Sequence, residues 1–304
     1  MQQNHPLYQR ALGLICAVLP LTFAPVARAQ TVQTYFNLQN YGTVSAGSTI
    51  TDTTGNATAT LNTDANTSLT SSGLTTVASY GNSASAGLTL GSGSLSGLTG
   101  SFSIQDWVTM ANPASGVVLW GGNNGPANTW IGDGYTGVST LIGMTWGSLA
   151  GGGGAGNPLG QSYNRYGNTI AGYTLTAGQT YDLVLTYNAS TYTFNQYING
   201  SWVGSLQEAF SSTSLAGTED FAIGGTPNEP WSPWGDASAS ATTADFLLYN
   251  GELGASQVGA LDELGAGASL PEIEAAVPEP GSLALMGLGG LAFLFRRRQA
   301  KQAR

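Results

Sequence analysis

Asn199-Gly200 lies between two β-prone runs, Thr191 to Ile198 and Ser201 to Leu206, and no other feature restricts the fold as much. Both turn residues tolerate positive φ, so the flanking runs fold back on each other as an antiparallel hairpin. Just upstream, Tyr181 to Tyr187 alternates and places Tyr181, Leu183, Leu185 and Tyr187 on one face of a strand. Ser101 to Val108 alternates in the same way, with Phe102, Ile104 and Asp106 on one side. Val117 to Trp120 is another β-prone run, ended by Gly121-Gly122-Asn123-Asn124-Gly125. Phe221 to Gly225 and Asp245 to Asn250 supply two more strands. Val258, Leu261 and Leu264, at intervals of three, suit one short helix within Gly254 to Leu264. Strands without a βαβ rhythm predict an all-β chain, closed as an antiparallel two-sheet sandwich.

The stretch from Thr31 to about Thr99 is rich in Thr, Ser, Gly, Asn and Ala, with isolated apolar residues. It fits short strands with polar turns, or a disordered spacer. Residues 30–74 read as Ser/Thr/Gly-rich strands or spacer, 75–266 as the sandwich, and 267–276 as a linker.

At the front, Arg10 precedes an apolar run from Ala11 to Leu21, and Ala27-Arg28-Ala29 follows. This predicts a secretory signal peptide over residues 1–29, cut by signal peptidase before Gln30. Cys16 follows Ile15, too large a residue for a lipid-attachment box, so it reads as one more apolar residue of that peptide.

Between Gln30 and Pro280 there is then no cysteine and no histidine, and Arg165 is the only basic residue against 17 acidic ones, a net charge of −16. Such a surface repels nucleic acid and anionic membranes. A Ser-His-Asp triad, a thiol nucleophile and the usual Cys/His zinc sites cannot be built from this segment. It also lacks lysine, so no Walker-type loop exists, and Gly151 to Gly154 reads as a flexible loop. Carboxylate chemistry of the glycoside-hydrolase kind is what remains. Glu219-Asp220 and Asp262-Glu263 are adjacent pairs that would point to opposite faces of a strand. Glu272 and Glu274 fall in the expected linker. The chain therefore reads as a binding or structural protein rather than an enzyme, the alternative being a carboxylate-dependent glycan hydrolase or lyase.

All seven tryptophans lie between Trp107 and Trp234. Trp107 and Trp202, inside strands, read as core. Trp130 with Asp133, and Trp231, Trp234 and Asp236 in a proline-interrupted loop, make a candidate sugar- or ion-binding rim, near Asn128; alternatively the rings plug the ends of the sandwich. Calcium takes six to eight oxygen ligands, and Asp133, Asp236 and Asn124 could contribute. No Asp-x-Asp-x-Asp-Gly loop is present, and no other cofactor is indicated.

The C-terminal tail has three blocks: Val277-Pro278-Glu279-Pro280, an apolar run from Ser282 to Phe295, and Arg296-Arg297-Arg298. The prolines resist helix and hold the first block extended. The apolar run spans about 21 Å as a helix, short of a hydrocarbon core of about 30 Å. Three arginines would hold its far end in the cytoplasm. Residues 277–304 resemble the PEP-CTERM sorting signal of Gram-negative bacteria. The resemblance implies processing by an exosortase, export to the cell surface or extracellular matrix, and transient anchoring in the inner membrane.

The run Leu98 to Val108, then Tyr181 to Tyr187, Tyr197 to Gly200, Val203-Gly204, and Ala244 to Asn250 before a short helix resemble laminin G-like, concanavalin A-like domains. That resemblance implies a jelly-roll sandwich. Many of its relatives bind carbohydrate or protein, and some hold Ca²⁺ at the rim. Together the two resemblances imply an exported structural or adhesive module for exopolysaccharide.

Overall fold

The computed structural model describes residues 30–63, 66–77, 87–91, 93–96, 98, 100–112, 117–124, 129–135, 141–145, 168–173, 175–207, 220–225, 237–238 and 240–278. Among the described residues, two large β-sheets, two short α-helices and one 3-10 turn at Leu38–Tyr41 make up the architecture. The first sheet runs, in spatial order, β14 (Ser201–Gln207), β13 (Thr193–Ile198), β12 (Thr180–Asn188), β7 (Phe102–Asn112), β17 (Ser240–Asn250), β5 (Gly73–Thr76) and β4 (Thr67–Thr70). β1 (Thr31–Asn37) pairs with β17 alongside β5. The second sheet runs β11 (Asn168–Gly172), β10 (Leu141–Thr145), β9 (Thr129–Tyr135), β8 (Val117–Asn124), β15 (Asp220–Ile223), β6 (Leu88–Leu90), β3 (Thr58–Leu61) and β2 (Thr49–Thr51). Among the described residues every ladder is antiparallel except that of β16 (Ala237–Ser238), which lies parallel to the start of β8.

The expected alternations form the interface between the sheets. Phe102, Ile104 and Val108 of β7 and Tyr181, Leu183, Leu185 and Tyr187 of β12 are buried in one apolar core with Leu88, Trp120, Phe221 and Ile223 of the second sheet. Trp120 stacks on Phe221 with ring centroids 5.8 Å apart, and both rings meet Phe246 of β17 across the interface. Burying each such ring contributes roughly 1.5–3 kcal/mol. Asp106 shares this inner face, as its place in the alternation predicts.

The turn between β13 and β14 has Asn199 at φ 48° and Gly200 at φ 72°, as the Asn-Gly signal requires. The threonine-rich part of the chain is also strand. Directly paired threonines there share hydroxyl hydrogen bonds, Thr49 with Thr60 at 3.2 Å and Thr75 with Thr242 at 3.0 Å. Cross-strand pairs of this kind stabilise polar sheet faces that bury little apolar surface. Residues 30–74 are thus strands and turns where described, with β1 to β4 among them.

Three expectations about the elements differ from the structure. β8 does not stop at Trp120: Gly121 to Asn124 continue it, paired with β9 and β15. The segment 267–276 is not a bare linker, because Leu270–Ala276 forms a helix docked on the first sheet. Leu264 of the short helix is exposed, whereas Val258 and Leu261 are buried. Among the described residues no helix is long and apolar enough to cross a membrane. The expected signal peptide over 1–29 and the apolar run Ser282 to Phe295 lie outside the described residues.

Candidate functional site

The first sheet is covered on both faces, and the outer covering leads into the C-terminal tail. α1 (Ala255–Leu264) and α2 (Leu270–Ala276) pack Val258, Leu261, Ile273 and Val277 against Tyr35, Val184, Tyr197, Leu247 and Tyr249. α1 starts at Gly254, whose N–H donates to the Gln257 side chain at 2.9 Å. α2 starts at Ser269, whose N–H and hydroxyl both donate to Glu272, at 2.8 and 2.6 Å. These side chains satisfy groups that a helix N-terminus otherwise leaves open, and Pro271 is compatible with a first turn. The Ser269 bonds hold the Glu272 carboxyl below the usual carboxylate range.

Beneath the helices lies a polar network. The Gln105 amide donates to Asp182 at 2.8 Å, and the Tyr249 hydroxyl donates to the Gln105 carbonyl at 2.7 Å. Asn199 of the hairpin turn accepts from the Asp182 N–H at 2.9 Å and donates its own N–H to the Asp182 carbonyl at 2.8 Å. Burial pushes the Asp182 carboxyl up to about 8, reinforced by the charges of Asp262 and Asp245 and opposed by the Gln105 bond. Its Oδ2 has no hydrogen-bond partner among the described residues.

Asp245 accepts from the N–H of Gly267, and the Tyr35 hydroxyl donates to the carbonyl of Ala268 at 2.6 Å. Burial pushes Asp245 up to about 6, against the pull of Gly267. On β1, Tyr35 also donates its N–H to Asp52, which accepts from the N–H of Ala57 as well and so ties the β2–β3 connection to β1. Asp52, Asp182 and Asp245 therefore serve the framework. The roles of Asp182 and Asp245 are not visible in the sequence, because Gln105 and Gly267 lie 77 and 22 residues away along the chain.

The sequence-predicted rim is placed in part. Trp130 and Asp133 are on β9, where their backbones face Asn123 and Trp120 of β8, and Asn124 faces Thr129. Ile223 and Ala237, which flank the segment holding Trp231, Trp234 and Asp236, pair with Trp120 and Val117 on the opposite edge of β8. Of the expected rim, the topology therefore places the β9 half beside β8. Trp231, Trp234 and Asp236 themselves lie outside the described residues, as does Asn128. Among the described residues no three His, Cys, Asp or Glu side chains gather as a metal-binding group.

Trp202 departs from expectation. Instead of entering the core it is 57% exposed, on the outermost strand of its sheet. Its indole N–H donates to Asn195 of β13 at 3.3 Å, which fixes the ring's orientation. Trp107 is half-buried, and among the described side chains Trp120 is the tryptophan of the core.

Of the tail residues Val277, Pro278, Glu279, Pro280, Arg296, Arg297 and Arg298, only Val277 and Pro278 are described; at the other end Gln30 is described, whereas Ala27 and Ala29 are not. Val277 is 2% exposed and donates its N–H to Ile273 at 3.1 Å.

No curated protein sequence matches the chain. Among solved structures, it is similar to domain 4 of AbnA, a GH43 extracellular arabinanase from Geobacillus stearothermophilus, in complex with arabinotriose. The identity is 18% and the TM-score 0.49, over 77% of this chain and 99% of that one. It is also similar to Trypanosoma rangeli sialidase in complex with sialic acid, with 15% identity and TM-score 0.50 over 76% of this chain. It spans 32% of the sialidase's length, and the likeness is one of fold. At the other end of the domain, residues 276–298 match the PEP-CTERM protein-sorting motif, so this chain carries a signal for export to the cell envelope or surface through an exosortase-type system.

Proposed function

We propose that the exported protein is a non-catalytic, laminin G-like jelly-roll sandwich that acts as a structural or adhesive module and binds exopolysaccharide. In this reading, signal peptidase cuts between Ala29 and Gln30. The apolar run Ser282 to Phe295 then anchors the chain in the inner membrane, with Arg296 to Arg298 in the cytoplasm, until the exosortase-type enzyme acts. The product reaches the cell surface or the extracellular matrix. The sorting motif supports the destination. The absence of histidine, cysteine and lysine between Gln30 and Pro280 supports a role without Ser-His, thiol or amine nucleophiles.

The observation that carries the binding role is Trp202, an exposed indole held by Asn195 on an edge strand. Such a ring stacks on the C–H face of a sugar, and the polar side chains around it tolerate water. Trp130, Asp133, Trp231, Trp234 and Asp236 form a second contact region around β8 in the same reading, and Ca²⁺ coordination there would draw on Asp133, Asp236 and Asn124.

The test is to pass the purified protein over the producing cell's own polysaccharide. Retention with unchanged polymer length, weakened at least several-fold by Trp202→Ala, is the expected result. Falling polymer length would instead favour a carboxylate-dependent glycan hydrolase or lyase, and a protein that is neither retained nor shortens the polymer would end the carbohydrate reading.

A further inference from the structure

The sorting motif begins inside the folded domain. Its first residue, Ala276, ends α2, and its second, Val277, is buried under the helices with Ile273. Pro280 lies three residue steps beyond Val277, and covalent geometry limits that span to about 11 Å. An enzyme that closes around an extended Pro278-Glu279-Pro280 must also accommodate the chain on either side. On the N-terminal side it meets α2 almost at once, with the rest of the sandwich behind it. A docked Val277 and a fully gripped motif therefore compete for the same space.

The dock is well defined and local. Gly267 is held by Asp245, the Ala268 carbonyl by Tyr35, and Ser269 by Glu272, while Ile273 and Val277 supply the apolar contact. α2 has only seven residues, too few to persist as an isolated helix, so its helical state depends on this contact. Detaching it costs only the interactions of one terminal segment, and such segments open far more often than the whole fold. Both large sheets and their shared core lie outside the segment that moves.

We infer that processing of the sorting motif requires residues 267–277 to release from the outer face of the first sheet, so that this dock sets the processing rate. The inference rests on the export reading, and it adds a control step located in this chain rather than in the enzyme. Ile273, Tyr35 and Asp245 act as positioning residues: none belongs to the matched segment 276–298, yet each governs how often that segment is free.

The experiment follows conversion of the full-length precursor by pulse-chase in cells that contain the processing system, with a second sorted protein as internal control. One variant carries a flexible Gly/Ser spacer of about eight residues between Ala275 and Ala276, long enough to reach some 15 Å further. The other is Ile273→Ala. Both should be processed several-fold faster than the wild type, and limited proteolysis near residue 277 should accelerate in parallel while the thermal transition of the domain persists. Unchanged or slower processing of the spacer variant overturns the inference; slower processing would make the docked face part of the enzyme's binding surface. If wild type and spacer variant both remain unprocessed while the control is converted, the latch and the export assignment fall together. If Ile273→Ala fails to fold, the spacer variant, which leaves the dock of Ile273 in place, decides alone.

Discussion

Trp120 and Trp202 show how far apart two tryptophans on strands can be in energetic terms. Trp120 is 1% exposed, stacked on Phe221 and edge-on to Phe246, so Trp120→Ala should cost about 3–5 kcal/mol in urea unfolding. Trp202→Ala should stay within about 1 kcal/mol, because little of the ring leaves water on folding. Equal losses for the two would contradict the assignment of Trp202 to the surface. Asp182 gives a second prediction. Its folded-state pKa of about 8 lies above the ordinary 3.8, so between those values the folded protein keeps a proton that the unfolded chain has released. Stability from this source is complete below about pH 4 and is lost as pH rises through about 8. Asp245, raised to about 6, acts in the same direction over a lower window. The melting temperature should therefore fall between pH 4.5 and 8.5, and Asp182→Asn should flatten the upper part of that curve. A wild-type curve that is flat over this range would remove the buried-carboxyl account.

At the scale of elements, the β13–β14 hairpin and α2 depend on single residues. Gly200 sits at φ 72°, and a Cβ there would lie 3.1 Å from the Asp262 carboxylate, so Gly200→Ala should destabilise by roughly 1 kcal/mol or more. Ser269→Ala should remove about 1 kcal/mol of helix capping, read as a lower melting temperature and faster exchange of the amides of residues 270–277. The two elements were not equally legible. The hairpin announces itself because its turn chemistry and its alternation are local. α2 looks like a linker because it is short and contains a proline, and only burial of Ile273 and Val277 on a remote sheet makes it a helix. The same remoteness explains Asp182. Its position between Tyr181 and Leu183 assigns it to the outer face of β12, which alternation alone equates with solvent. α1 and α2, arriving some 70 residues later, turn that face into a second core. Trp202 was misread for the converse reason: a strand's place at a sheet edge is set by pairing partners that the strand's own residues do not specify. Of the expected rim, the backbone of β9 sets Trp130 and Asp133 beside β8, while Trp231, Trp234 and Asp236 lie outside the described residues.

For the whole molecule, seventeen carboxylates face a single arginine between Gln30 and Pro280. Self-repulsion of this size opposes compaction and is screened by salt over about 10 Å at 0.1 M. Raising NaCl from 10 to 500 mM at pH 8 should therefore raise the melting temperature, with a smaller rise at pH 4.5, where part of the charge is neutralised. No salt response at pH 8 would argue that the acids are already balanced within the fold. The pairing of Thr31 with Asn250 and Asn37 with Asp245 has a consequence for biogenesis. The first strand finds its neighbour only after more than two hundred further residues have been made, so a nascent N-terminal fragment cannot close its first sheet. Completion of the sandwich waits for the late arrival of β17, which joins the two ends of the domain in one ladder.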